Sequence, residues 1–350
     1  MHILSEPDVA QIFRSLTREK CHEFIDVLGK ALVAMSAESK PNVSESEKLI
    51  HQPLRTVFAT KANNSCIFMP VSDTVSTAVK VVTVASGGIQ GVINVFSPDG
   101  RLQGLLAAAE VTAFRTALAS MTLFVRCTTL RKENILVLGS GRQAEWHARL
   151  ALILYPDQIR RVTFVNRGRQ RLDELERDVL RGLRQRYPNI NFATFAKEGT
   201  ADYEAKLLRE LQACDVIFSC TPSIEPNFSF SALQSAPKQR FISLIGSYKP
   251  HMHEIDTETL LSGGGKIYVD SKTACMEESG ELNTAKVTEN QLIEMGDILG
   301  DFSPSQAIDI PKGCNVIYKC VGMGLMDLVV GRKVLDVGSE QGLGTHVDGF

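Results

Sequence analysis

ILVLGSGRQAEWHARL, Ile135–Leu150, is the stretch that decides the fold. Four apolar residues run into a glycine pinch, and the pinch opens into a run of helical character. Gly139-Ser140-Gly141-Arg142-Gln143-Ala144 is the GxGxxA form of a dinucleotide fingerprint. Gly139 permits a tight turn, Gly141 lets the backbone approach a pyrophosphate, and Ala144 keeps the helix against the strand. The helix N-terminus then supplies amide donors and partial positive charge. A lone GxGxxA marks only a turn between strand and helix, so its weight depends on the elements around it.

Downstream of the pinch, short apolar strands alternate with helical runs: RVTFVNR, the charged helix RLDELERDVLRGLRQRY, NINFATF, a helix ending near Leu211, DVIFSCTPS, RFISLIGS and KIYVDS. That alternation implies a doubly wound, mostly parallel Rossmann-type sheet with ligands beyond the carboxyl ends of its strands. Placed at the head of this series, the fingerprint reads as a nucleotide site. Upstream the pattern differs. A helical opening, Glu6 to Met35, leads into a polar stretch, SAESKPNVSESEK, expected to be mobile. TAVKVVTVAS reads as a β-branched strand, and IQGVINVFSPDGRLQGLLAA as strand, SPDG turn and strand. AAEVTAFRTALASMTLFVRC, free of Gly and Pro, is a helix with one small-residue face, expected to bridge two domains.

Composition bounds the rest. With 350 residues, 44% of them apolar and a formal net charge of -2, the chain is large enough for two domains and lacks the basic excess of a nucleic-acid surface. No window approaches the ~18 uninterrupted apolar residues of a membrane span, and MHILSEPDVAQIF lacks the layout of a secretory signal, so a cytoplasmic location is expected. Eight scattered cysteines (Cys21, Cys66, Cys127, Cys214, Cys220, Cys275, Cys314, Cys320) show no CxxC pair and no zinc spacing, and are expected to be free, with no bound metal.

The coenzyme is chosen at the end of the second strand, where an acidic residue would grip the ribose hydroxyls of NAD(H). TFV leads instead into Asn166-Arg167-Gly168-Arg169, and Asp157 precedes that strand. Without a carboxylate to repel a 2'-phosphate, and with Arg167 and Arg169 able to pair with one, NADP(H) is favoured over NAD(H); the other reading of the arginines is a solvated surface run. Three further cations stand among apolar residues: Lys80 in AVKVVTV, Arg115 in TAFRTALAS and Arg55 in QPLRTVFAT, the last among residues that otherwise read as core. Singly, each suits a snorkelling or salt-bridged side chain. Together, with few acidic partners nearby, they suggest a pocket for a small carboxylate. Thr221 in CTPS lies at a strand end by the coenzyme; Gly322 and Met323 in VGMG either join it or form a tight helix start.

These residues resemble the ornithine cyclodeaminase and mu-crystallin family. The similarity covers most of the chain in order and spacing: LRTVFAT, MPV at Met69 to Val71, KVVTV with Lys80, the SPDG hairpin, VTAFRTALAS, GSGRQAEWH, VNRGRQR, CTPS, IGSYKP followed by EID, YVDSKTACMEESGEL and KCVGMGLMDL. The resemblance implies a homodimer in which residues 1–128, rejoined by 320–350, form an α+β substrate-binding and dimerisation domain. Residues 129–319 are then the Rossmann domain, and the substrate site, with Met69 beside the three cations, faces the nicotinamide. Members include cyclodeaminases, reductases of cyclic ketimines and alanine dehydrogenases, which leaves the reaction open.

One departure narrows it. Cyclodeaminases of the family carry an aspartate in a motif resembling GADxPG. Here the segment reads Gly246-Ser247-Tyr248-Lys249-Pro250-His251, and a phenol with a pKa near ~10 cannot act as a carboxylate base at neutral pH. Glu254 or Asp256 in EID could stand in for it, although EID reads as a helix start with Glu254 as a capping or first-turn charge. The expected reaction is NADPH-dependent reduction of a cyclic imino acid carboxylate. Arg55, Lys80 and Arg115 hold the carboxylate, Lys80 is a candidate proton donor, and Tyr248 is a candidate to shape the pocket or donate a hydrogen bond. Two alternatives stay open: an ammonia lyase of the cyclodeaminase type with recycled NAD, and a non-catalytic protein holding NADPH and a small ligand. His251 and His253 lack a third metal ligand, packing or exposure accounts for Trp146 and His147, and Ser219-Cys220 shows no base at readable spacing.

Overall fold

A computed structural model describes residues 1–40, 42–85, 88–301 and 307–349. The chain forms two compact units: Met1–Leu118 with Leu299–Asp301 and Gly322–Phe350, and Ala119–Ile298 with Phe302–Val321. The helical bridge read from the sequence is the helix Ala108–Phe124, within which the division falls.

The first unit is built on a seven-stranded sheet. Its strands are β1 (His2–Leu4), β2 (Thr56–Ala59), β3 (Ser65–Ser72), β4 (Thr77–Ala85), β5 (Gly88–Phe96), β6 (Leu102–Ala107) and the late strand Thr345–His346. The order is Thr345–His346, β1, β6, β5, β4, β3, β2, antiparallel throughout except for the parallel pair β1 and β6. The SPDG stretch makes the expected hairpin, with Gly100 at φ +87° closing the turn between β5 and β6. β4 takes up TAVKVVTVA; Ser86, the last residue of the stretch read as a strand, lies outside the described residues. Two long helices cover one face. Gly324–Glu340 lies against β3, β4 and β5, and Arg18–Glu38 packs on it. Gly324, Gly331 and Gly338, seven apart and so on one face of the helix, allow this approach: a Cβ at Gly324 would lie 3.2 Å from the Cβ of Val71, and one at Gly338 would lie 3.0 Å from Leu4 Cδ1.

Two expectations need correction here. The helical opening is not continuous: Glu6–Arg14 ends at Ser15, and Thr17 starts Arg18–Glu38 by accepting the Lys20 N–H at 3.3 Å. Nor is β2 core, because all four of its residues are exposed at the edge of the sheet. The polar stretch after Glu38 holds one 3-10 turn, Glu45–Glu47, and Pro41 within it lies outside the described residues.

The second unit is a doubly wound α/β domain of eight parallel strands: β7 (Asn134–Leu138), β8 (Arg161–Asn166), β9 (Asn191–Ala196), β10 (Val216–Ser219), β11 (Phe241–Leu244), β12 (Ile267–Val269), β13 (Leu292–Glu294) and β14 (Val316–Lys319). Their order is β13, β12, β14, β11, β10, β7, β8, β9, so the winding reverses between β7 and β10, where an open α/β sheet binds its ligand. The fingerprint helix, Arg142–Leu154, packs on β7 and β10 with Ala144, Trp146 and His147 fully buried. The charged helix read from RLDELERDVLRGLRQRY is interrupted by a π turn at Glu176–Leu180. All eight cysteines are unbridged. Among the described residues no helix is long and apolar enough to cross a membrane.

Candidate active site

In the first unit, strand alternation puts Ala78, Lys80 and Val82 on the covered face of β4, with Met69 and Ile93 in register beside Lys80 on β3 and β5. The lysine is buried, and so is Arg115 on the helix Ala108–Phe124. Both converge on a carboxylate that the sequence reading did not anticipate. Lys80 Nζ stands 2.6 Å from Asp327 Oδ2, and Arg115 Nε donates to Asp327 Oδ1 at 2.9 Å. Asp327 sits in the first turn of Gly324–Glu340, so the helix that covers the sheet also brings the counter-ion.

The third cation reaches the same place through the backbone: Arg55 Nη2 donates to the carbonyl of Gly322 at 3.2 Å. Gly322 has φ +86°, and a Cβ there would meet Arg115 Nη1 at 2.5 Å, so the guanidinium occupies the space where a side chain would be. The structure therefore gathers Arg55, Lys80 and Arg115 around one acid. Burial pulls the Lys80 ammonium down to about 8; Asp327 opposes the fall, while Arg115 and then Arg55 add to it. Met323 is buried and forms the N-cap of the following helix.

In the second unit, the fingerprint turn is built as its residues require. Gly139 has φ +115° and leaves only 2.9 Å between a would-be Cβ and the Cys220 carbonyl oxygen. Gly141, the N-cap, has nothing within 4 Å of that position, and Gly141 and Arg142 are exposed, with Ser140 and Gln143 half-buried. Backbone amides at a helix start with open space before them fit a pyrophosphate. At the end of β8, Asn166 Nδ2 donates to the Gly168 carbonyl at 2.9 Å and shapes the turn that carries Arg167 and Arg169, both exposed. This turn does have a carboxylate, contrary to expectation. Glu198, from the end of β9, accepts the Arg169 N–H at 3.0 Å, and the Arg169 guanidinium is already paired with Asp173 at 2.9 Å.

Thr221 follows the end of β10, beside the glycine turn, and Tyr248 follows β11, half-buried with Lys249 Nζ 5.6 Å from its ring centroid. Glu254 is no helix charge. Asp256 caps Thr257–Leu261, and Glu254 is fully buried, its carboxylate bound to Ser219, Thr221, Gly246 and Ser247. A base does stand near Cys220: His147 Nδ1 is 3.9 Å from its sulfur. Burial holds His147 down at about 4 and pushes the Cys220 thiol well up, so the pair provides no nucleophile near neutral pH.

No protein-family model matches the chain. It is 30% identical over 324 residues to uncharacterized protein YGL159W of Saccharomyces cerevisiae, an alignment covering 83% of this chain and 86% of the yeast protein. Delta(1)-pyrroline-2-carboxylate reductase of Bacillus cereus is 23% identical over 314 residues, with 85% and 89% covered. Among solved structures, Thermococcus litoralis Delta(1)-pyrroline-2-carboxylate reductase in complex with NADH and L-proline superposes with a TM-score of 0.78 at 18% identity, over 99% of this chain and 100% of that one. The chain belongs to the ornithine cyclodeaminase/mu-crystallin family.

Within this family member, three side chains at or beside the candidate sites escaped the sequence reading: Asp327, Glu198 and the buried, paired form of Glu254. Asp327 carried the same signal that picked out Lys80, a charge inside an apolar run (GLMDLVV), and that signal was applied only to the cations. Glu198 and Glu254 had no local signal, because each is defined by partners on other elements of the fold.

Proposed function

We propose that the chain is a nicotinamide-dependent imine reductase that reduces the C=N bond of a cyclic imino acid. The observation that carries this reading is the cationic cluster of the first unit: Lys80 and Arg115, both buried, pair with Asp327, and the half-buried Arg55 joins them through the Gly322 carbonyl. Guanidinium and ammonium groups gathered in one place suit an anion, and a substrate carboxylate is an anion of the right size. Met69 adds an apolar wall beside Lys80. The Bacillus cereus relative is a Delta(1)-pyrroline-2-carboxylate reductase, a name that denotes a ring imine bearing a carboxylate beside the C=N carbon.

The amides of Ser140–Gln143, with Gly139 and Gly141 as the turn and the close approach and Ala144 as the packing residue, hold the pyrophosphate of the coenzyme, and Asn166, Arg167 and Thr221 stand along its path. When bound, a reduced nicotinamide supplies the hydride. The chain's own residues do the rest. The cationic cluster fixes the acid's carboxylate, and so its imine carbon, while a charged Lys80 can give the imine nitrogen the proton that completes the amine. NADPH is the preferred coenzyme, through the exposed Arg167. The enzyme works as a homodimer through the edge strand β2, whose Val57 and Phe58 are about half exposed and whose outer edge is open to a second copy. Eight free thiols suit a reducing, cytoplasmic setting.

The test is oxidation of NADPH and NADH by the purified chain across pyrroline-, piperideine- and open-chain imino carboxylates, beside incubation with L-ornithine without added coenzyme. Turnover of a cyclic imino acid is the expected result. Ammonia and proline from ornithine would replace this reading with the lyase, and tight coenzyme binding with no turnover would replace it with a binding protein.

A further inference from the structure

Beyond the three cations and the glycine turn, the second unit holds a buried ionisable network: Glu254, Glu281 and Lys319, all almost completely shielded from solvent. We propose that Glu254 is a positioning residue for the coenzyme, its carboxylate binding the carboxyl ends of β10 and β11 together and so fixing Thr221 and Gly246 beside the glycine turn. The inference rests on the dinucleotide reading of that turn.

The geometry is specific. Oε1 of Glu254 accepts from Ser219 Oγ at 2.7 Å and from the Thr221 N–H at 3.1 Å. Oε2 accepts from the N–H groups of Gly246 at 2.7 Å and Ser247 at 3.1 Å. Three of these four donors are backbone and cannot rotate away, so only a group with two acceptor oxygens satisfies both strand ends. The segment so held has no slack. A Cβ on Gly246 would lie 2.0 Å from the Thr221 carbonyl oxygen, and one on Gly139 would lie 2.9 Å from that of Cys220. Cys220–Thr221 is thus pressed between the fingerprint turn and the end of β11, at the point where the sheet reverses its winding and binds its ligand.

The rest of the network holds Glu254 in turn. Its N–H donates to Glu281 Oε1 at 2.8 Å, and its carbonyl accepts from the Asn227 N–H at 2.8 Å. Glu281 also takes the Ser247 hydroxyl at 2.6 Å and stands 3.7 Å from Lys319 Nζ, which donates to the Ser247 carbonyl. The charged and titratable groups facing Glu254 are therefore Glu281 from the helix Gly280–Thr284, Lys319 from β14 and the Cys220 thiol from the end of β10. Burial raises Glu254 to about 7, against the pull of Lys319 and with a further push from Glu281. Once protonated, one of its oxygens carries hydrogen and no longer accepts freely, and a strand end is released. Coenzyme affinity then weakens on the acid side of neutrality.

The experiment uses the full chain and NADH, whose phosphodiesters do not titrate in this range. Its dissociation constant is measured by nicotinamide fluorescence between about pH 5.5 and pH 8.5 for the wild type and Glu254→Gln. An amide offers one acceptor oxygen where the carboxylate offered two. The expected result is a wild-type Kd that rises about tenfold on the acid side of a midpoint near neutrality, and a Glu254→Gln Kd about tenfold weaker at the alkaline end with that pH dependence gone. The KM for the imino acid at saturating coenzyme should change by less than about threefold, which a general loss of structure would not spare. Equal Kd values in the two proteins, or a flat wild-type profile, overturn the inference; if Glu254→Gln does not fold, the wild-type profile decides alone. A wild type that binds no nicotinamide coenzyme at any pH overturns the dinucleotide reading itself, and the inference with it.

Discussion

Raising the pH should silence this protein while relieving a strain on its fold, because Lys80 carries both effects. Its ammonium, ordinarily at 10.5, is pulled to about 8 by burial and by the neighbouring guanidinium groups. If the charged form is needed to hold or protonate the imino acid, kcat/KM falls about tenfold for each pH unit above about 8. The contribution to stability runs the other way. Below about 8, Lys80 is protonated whether the chain is folded or unfolded, and the cost of the buried charge is fully present. Between about 8 and 10.5 the unfolded chain binds the proton that the folded one has released, so this contribution rises with pH. At about 1.4 kcal/mol for each pH unit, the fall from 10.5 to about 8 corresponds to about 3 kcal/mol.

Asp327→Asn separates this from any titration of the substrate. Asp327 is the partner that holds the ammonium up, so its loss moves the alkaline limb of the profile below about 8 and leaves two buried cations without their acid, a cost of about 3 to 5 kcal/mol. The assays are kcat/KM for a pyrroline carboxylate from pH 6 to about 10 and denaturant unfolding over the same range. A limb at the same pH in wild type and Asp327→Asn would refute the reasoning, as would an alkaline loss of activity that tracks unfolding.

Gly322→Ala would place a methyl 2.5 Å from Arg115 Nη1 at a backbone angle of φ +86°, displacing the guanidinium; KM for the imino acid should rise at least about tenfold with little change in coenzyme Kd, by steady-state kinetics. Arg167→Ala should cost about 1 to 3 kcal/mol of NADPH binding and spare NADH, whereas Glu198→Gln, which removes the acid beside the same turn, should shift the NADPH-to-NADH ratio toward NADPH; equal effects on both coenzymes would remove this turn from coenzyme choice. Phe58→Asp, on the exposed edge strand β2, should shift the protein to monomer in analytical ultracentrifugation, and an unchanged sedimentation coefficient would place the interface elsewhere.

What the sequence made legible was local. β7, the fingerprint turn and the helix Arg142–Leu154 are adjacent in the chain, and the glycines that the turn needs sit where its dihedral angle and close contacts require them. The hairpin of β5 and β6 is written in the same way, in four turn residues between a β-branched run and a leucine-rich one. β14, which enters the sheet between β11 and β12, was not legible, because three apolar residues and a lysine say nothing of which neighbours they will join. The exposure of β2 was hidden for the same reason: apolar residues at a sheet edge and in a sheet interior look alike in sequence.

The candidate site divides along the same line. Lys80 and Arg115 were identified because a charge in an apolar run demands a partner, whatever the fold. The partner is 212 residues from Arg115 along the chain, and only the packing of Gly324–Glu340 under the sheet brings it there. Asp327 is shared by Lys80 and Arg115, so the cluster is not a set of bare cations. That difference sets what the site is able to hold. Three bare cations would call for a multiply charged ligand or would not stay charged, whereas two guanidinium groups and a lysine poised near pH 8 suit a monocarboxylate whose neighbouring nitrogen is waiting for a proton.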